Sequence, residues 1–298
     1  MRRLKMQQKT ILLSNQETYA YFEQGDCKDT LVLLHGNTSS SIFFEPLLQM
    51  LPKSIRVIAP DLRGFGNSSY NHPIETLTDF ADDLKMFLDQ LHIRNIQLLG
   101  WSLGGNIAME FASKYPDMVS HLILLSSGSL KGYPVFKKNE LGHPVLGSIY
   151  ASKEELSKDP VQVLPLINAY HTGSVEFMEY IYDLAIYNVK KPDKEMNRKW
   201  MKEAIKQRNL VDVDWALANQ NLSNEPSFYQ QGNHKISSIS ARILNIWGDK
   251  DLTVPKYMFD ENQKHLKDSE ALVFTNCGHS ILIDDCEKLA IEILNFIK

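Results

Sequence analysis

Residues 96–111 read IQLLGWSLGGNIAMEF. An apolar run suited to a buried strand meets Gly100, then Trp101-Ser102-Leu103, then Gly104 and Gly105, then apolar residues at helical spacing. The segment predicts a strand that turns sharply into a helix with Ser102 at the apex. The G-x-S-x-G spacing has a steric reason. A turn this tight needs small residues two before and two after the serine, because larger side chains would clash in the strained backbone. The hydroxyl then projects at a strand end and a helix N-terminus, where the helix dipole favours developing negative charge. Taken alone, the stretch is also readable as a glycine-rich turn with a capping serine.

Outward from this turn, the pattern repeats. KTILLSN and TYAYFEQG are short segments that predict an antiparallel start, and DTLVLLHG, IRVIAPD and HLILLSSG are buried-strand runs. Between them lie a helix through IFFEPLLQML, with Ser39 to Ser41 at its start, and a helix over TLTDFADDLKMFLDQL, with apolar residues at helical spacing. The helix after Ser102 is expected to end near Tyr115, before Pro116. After Gly128 the texture changes. Six of the twelve prolines fall within 128–233, and helical pieces such as SVEFMEYIYDLAIYNV and DKEMNRKWMKEAIKQRN alternate with breaks. Strands resume at ARILNIWG and EALVFTN, and CEKLAIEILNFIK predicts a final helix. Alternating strands and helices imply a mostly parallel sheet covered on both faces. An insertion at a strand end would roof a pocket beyond the carboxyl ends of the strands.

A serine hydroxyl needs a base, and the base needs an orienting acid. ILNIWGDKDLTVP places Asp249 and Asp251 just after a strand, and FTNCGHSILID places His279 after the last one. Each has a bland reading by itself, Asp as turn chemistry and His as a satisfied core or surface residue. Their order, Ser…Asp…His, with all three at strand ends, joins them into one site. An oxyanion needs preorganised N–H donors. Leu103, following the serine, is one candidate, and Asn37 in LLHGNTSS, after the first long buried strand, is the other. His35 in the same loop reads as a loop-organising residue.

Bulk properties narrow the class. The 298 residues are 43% hydrophobic and 23% charged, with a net charge of -4. That is ordinary globular composition, with no electrostatic footprint for nucleic acid or an anionic membrane. The basic cluster in MRRLKMQQK is followed by no apolar h-region, so neither a signal peptide nor a membrane span is expected. Three widely spaced cysteines, Cys27, Cys277 and Cys286, form neither a disulfide framework nor a zinc spacing. A cytoplasmic protein is expected, with no metal and no cofactor.

LLHGN, PDLRGFGNS, GWSLGG, WGDKDLTVP and CGHS, in that order, resemble the α/β-hydrolase superfamily over nearly the whole chain. The resemblance implies an α/β class protein with the α/β-hydrolase fold: a mostly parallel central sheet, helices on both faces and an inserted helical cap. Its domains would be a core of 1–127 and 234–298 and a cap (lid) of 128–233. By position, Ser102 resembles the nucleophile, His279 the general base, and Asn37 and Leu103 the oxyanion donors. Asp251 resembles the acid, three residues beyond Gly248, where the bare spacing left Asp249 open. Asp61 to Ser68 resembles a structural turn. Trp101, Phe43 and Phe44 are expected at the substrate pocket, whereas the stripe Phe177, Tyr180, Ile181, Leu184 reads as core.

The implied function is a serine hydrolase that cleaves a small carboxylic ester or lactone through an acyl-enzyme. Its partner would be a small-molecule acyl substrate. Two alternatives share the fold: a C–C bond hydrolase of ring-cleavage diketones, for which Asn106 and Arg198 are weak candidates, and a slow-turnover ligand receptor. The cap has equal numbers of acidic and basic residues, so its net charge selects neither kind of substrate. No oligomeric state is readable.

Overall fold

Successive residues of the central strands face opposite sides of a sheet, and both sides here are apolar. In the computed structural model, which describes residues 7–27 and 29–298, Leu31 and Leu33 enter one core cluster while Val32 and Leu34 enter the other. The strands are β1 (Lys9–Leu12), β2 (Thr18–Gln24), β3 (Thr30–Leu34), β4 (Arg56–Pro60), β5 (Ile96–Trp101), β6 (Val119–Leu125), β7 (Phe136–Lys138), β8 (Pro144–Ile149), β9 (Arg242–Gly248) and β10 (Glu270–Phe274). Eight of them form one sheet in the order β1-β2-β4-β3-β5-β6-β9-β10. β1 pairs antiparallel with β2, and β2 with β4; every other pairing within this sheet is parallel. This is the α/β-hydrolase fold, with the antiparallel start and the parallel remainder expected from the segment patterns.

Helices cover both faces. Leu77–Gln90 and Leu103–Lys114 pack on one side, and Glu45–Met50 and Cys286–Phe296 on the other. Leu77–Gln90 starts with a capping box in which Thr76 and Asp79 satisfy each other's backbone N–H groups. Its buried stripe is Leu77, Phe80, Ala81, Leu84, Phe87 and Leu88. Asp83 is buried on the same helix. It accepts from Arg63 Nε at 2.6 Å, from Arg63 Nη2, from Tyr19 OH at 2.8 Å and from Asn15 Nδ2 at 2.7 Å. This set ties β2 and the loop after β4 to the helix. Burial pushes the Asp83 carboxyl above its ordinary value in spite of Arg63.

The connection between β6 and β9 holds Lys153–Leu156, Leu164–Thr172, Val175–Ala185, Lys194–Ala204 and Leu210–Asn219 as helices. It also holds the β7–β8 hairpin, which was not expected. Phe136 pairs with Ile149 and Lys138 with Pro144. The hairpin is legible only in three dimensions because β8 is largely exposed, so its sequence has no buried face to alternate. The crossover helix Lys256–His265 also lacked a sequence signal, since it buries only Met258, Phe259 and Asn262. No helix among the described residues is long and apolar enough to cross a membrane. The basic cluster Arg2, Arg3 and Lys5 lies outside the described residues.

Replacing Asp83 with Leu leaves the Arg63 guanidinium buried without its main partner. The variant is expected to lose about 3–5 kcal/mol of unfolding free energy in urea denaturation; a loss under about 1 kcal/mol would show that the cluster is not a structural tie.

Candidate active site

The turn at Ser102 is as tight as the glycines imply. Ser102 sits at φ 55° and ψ −121° between β5 and the helix Leu103–Lys114, a strained conformation for a residue with a Cβ. A Cβ on Gly100 would lie 2.1 Å from the Gly104 oxygen, and one on Gly104 would lie 2.1 Å from the Leu34 oxygen. The strained residue is held on both sides, as Ser102 N donates to Leu125 O at 3.0 Å and Gly105 N donates to Ser102 O at 2.8 Å.

The chain ends of three other strands meet this turn. Asn37 follows β3, Asp251 follows β9 and His279 follows β10. Asp251 and His279 are both buried. His279 Nδ1 lies 2.9 Å from Asp251 Oδ2. A carboxylate only accepts, so Nδ1 carries the proton of this bond, and in the neutral ring Nε2 is the acceptor. The other oxygen, Asp251 Oδ1, accepts from Thr253 N and Val254 N, each at 2.8 Å. Trp101 Nε1 donates to the His279 carbonyl at 3.0 Å and its ring lies 5.6 Å from the imidazole. Asp249 is exposed and accepts from Cys277 N at 3.3 Å. The ambiguity between the two aspartates is thus a difference of side-chain direction. Ser102 Oγ makes no hydrogen bond to the imidazole; such contacts commonly tighten when substrate binds.

Ser102, Leu103, Asn37 and His279 line one cavity of about 270 Å³. Much of its wall comes from the β6–β9 connection, including Tyr133, Leu166, Phe177, Ile181, Leu210 and Asp214. The expected pocket residues Trp101, Phe43 and Phe44 are not on it. They are buried beneath, where Phe43 packs against Trp101, Tyr182 and Trp200 at ring-centroid distances of 6.1, 5.7 and 5.0 Å. Their chain positions are near the site, but their side chains point into the core. The stripe expected as core divides too: Phe177 and Ile181 face the cavity, while Tyr180 and Leu184 are exposed. The buried stripe of that helix is Val175, Met178 and Tyr182. Arg198 pairs with Glu176 and Glu179 away from the cavity, whereas Asn106 is on its wall.

The loop after β3 is gripped by residues that the sequence had not singled out. Asn37 Nδ2 donates to Asp214 Oδ1 at 2.8 Å, and Gln207 Nε2 donates to Asn37 Oδ1 at 2.8 Å. Thr38 N donates to Gln207 Oε1 at 3.1 Å, and Tyr182 OH donates to Thr38 O at 2.7 Å. From below, His35 Nε2 accepts from Leu62 N at 3.0 Å, and Asp61 accepts from Ser41 N and Asn67 N, each at 2.9 Å. These bonds give His35 and the Asp61 turn their loop-organising place. Burial raises the Asp214 carboxyl to about 7, against the lowering effect of Asn37. Burial also lifts the Cys277 thiol to about 11, far from a reactive thiolate. Glu225, Glu261 and His265 cluster on the surface, but Lys131 already bridges the two glutamates at 2.6 and 2.8 Å.

Comparison with known proteins agrees with this architecture. The model of the α/β-hydrolase fold family matches residues 29–285. A 2-hydroxy-6-oxononadienedioate/2-hydroxy-6-oxononatrienedioate hydrolase of Paraburkholderia phymatum is 26% identical over 283 residues, covering 93% of this chain and 90% of its own. A pimeloyl-[acyl-carrier protein] methyl ester esterase of Vibrio atlanticus is 24% identical over 269 residues, covering 89% and 93%. Among solved structures, an esterase from Exiguobacterium antarcticum superposes with a TM-score of 0.74 at 20% identity, covering 98% of this chain and 99% of its own.

Gly104→Ala is expected to drive a methyl group into the Leu34 carbonyl and lower stability by about 3 kcal/mol. An unchanged thermal midpoint would show that the turn does not need the close approach.

Proposed function

The chain belongs to the α/β-hydrolase family, and on that premise we propose that it is a serine hydrolase of small carboxylic esters or lactones. The observation that carries the reading is a single cavity shared by Ser102 and His279, with Asp251 bonded behind the ring and no Lys or Arg on the wall among the described residues. Ester chemistry requires only a nucleophile, a base and an oxyanion site. A diacid substrate, such as the dienedioate named for the Paraburkholderia relative, would also need its carboxylates neutralised. The absence of a basic side chain on this wall therefore favours the ester over the C–C reading.

In the proposed mechanism, His279 Nε2 takes the Ser102 hydroxyl proton as Oγ attacks the acyl carbonyl. The backbone N–H groups of Leu103 and Asn37 receive the oxyanion. His279 then delivers the proton to the departing alcohol, and the same base activates water to release the acid. Asp251 keeps Nδ1 protonated, orients the ring and stabilises the imidazolium. Residues 128–233 act as the cap over a core of 1–127 and 234–298, and shape the acyl pocket. The three free cysteines suit a reducing compartment, so the cytoplasm is the proposed location.

A fluorophosphonate probe should label the wild type and leave Ser102→Ala unlabelled; equal labelling of both would remove the nucleophile assignment. Asp251→Asn should lower kcat for a short p-nitrophenyl ester by about 10⁴-fold, and Asp249→Asn by less than about tenfold. The opposite ranking would transfer the acid role to Asp249.

A further inference from the structure

The cavity wall carries one acidic side chain, and its surroundings define what it can recognise. Apart from His279, Asp214 is the one ionisable residue of the Asp, Glu, Lys, Arg or His type lining the cavity among the described residues. Oδ1 accepts from Asn37 Nδ2 at 2.8 Å. No basic side chain pairs with the carboxyl among the described residues, and the charge that acts on it from further off is that of Asp159. An enclosed carboxyl without a counter-ion is costly unless something donates to it.

Asn106 shares the wall, but its amide oxygen is shielded from the cavity. Asn106 is 1% exposed, and its Nδ2 donates to Ser129 O at 2.9 Å and to Gln220 Oε1 at 2.7 Å. Gln220 Nε2 in turn donates to the Asn106 carbonyl at 3.0 Å. The backbone carbonyls in this set fix both amide orientations. Asn106 Oδ1 is therefore the oxygen, and it is buried with no partner, close against Gly128, which is also on the wall. A carboxyl with unused acceptor capacity and no basic group on the wall suit a ligand that donates hydrogen bonds and carries no carboxylate. An ammonium would give up its hydration for one carboxyl among apolar side chains; a hydroxyl loses far less. The bond from Asp214 to Asn37 places this carboxyl beside the loop proposed to receive the oxyanion, hence near the scissile carbonyl.

We propose that the cavity selects neutral acyl esters bearing a free hydroxyl close to the scissile carbonyl, and that Asp214 accepts the hydrogen bond from that hydroxyl. The proposal rests on the serine-hydrolase reading. The hydroxyl belongs to the acyl group or to the alcohol, and matched ester pairs separate the two. Methyl 3-hydroxybutyrate against methyl butyrate reports the acyl side; glycerol 1-monobutyrate against propyl butyrate reports the alcohol side.

The measurement is kcat/KM by acid release for all four esters with wild type, Asp214→Asn and Asp214→Leu, each checked for folding by circular dichroism. Wild type should prefer the hydroxylated member of at least one pair by about tenfold. Asp214→Leu should abolish that preference, and Asp214→Asn should keep part of it, because an amide oxygen still accepts. Loosening of Asn37 would slow both members of a pair alike, so the ratio isolates recognition from loop positioning. Turnover with a ratio near one in wild type, or a ratio unchanged in Asp214→Leu, overturns this proposal and leaves the hydrolase reading intact. Failure of wild type to hydrolyse any of the four esters overturns both.

Discussion

The close passage of Gly104 against the Leu34 carbonyl governs how this molecule is built. It lets the helix Leu103–Lys114 begin immediately at the end of β5, one strand away from β3. Ser102 takes up the resulting strain in its backbone, with positive φ, and is held by bonds to Leu125 and Gly105. A strained residue persists only where its surroundings over-determine it. Here the surroundings are β3 and β6 on either side of β5, whose own ends supply the loop of Asn37 and the tie to Leu125. The strain and the strand order are one constraint seen at two scales.

Around that turn, the polar groups divide the work. Arg63, Asp83 and Tyr19 bind the loop after β4 to the sheet and to a helix, and take no part in the cavity. Asp61 and His35 fold the neighbouring loops onto each other. Asp251 and His279 are instead bonded to each other, with His279 on the cavity that Ser102 also lines and the acid's second oxygen satisfied by two backbone N–H groups. The same residue types thus serve as structure or as candidate chemistry according to whether their free edge meets packed atoms or the cavity.

The connection between β6 and β9 has a second role beyond walling the cavity. Tyr182, Gln207 and Asp214 all belong to it, and all three bond to Asn37 or Thr38. The geometry of the loop after β3 therefore depends on where this connection sits. A shift of the connection that breaks these bonds would release the loop, while the bonds of Ser102 to Leu125 and Gly105 lie within the core and would persist. The shape of the cavity and the position of the loop after β3 are in this way mechanically joined.

Local sequence determined the elements whose signals are local. Buried-strand runs, the glycines flanking Ser102 and the segments that carry serine, aspartate and histidine at strand ends could all be read along the chain, because each signal depends on residues a few positions apart. Sequence spacing alone left Asp249 and Asp251 open, put Trp101, Phe43 and Phe44 on the pocket wall, and passed over Gln207 and Asp214. Those matters turn on side-chain direction and on contacts between residues far apart in the chain, such as the 177 positions that separate Asn37 from Asp214. Only the tertiary structure decided them. Tertiary packing settles which face of a helix meets a cavity, and a near neighbour of the serine in sequence can point into the core while a distant carboxyl reaches the site.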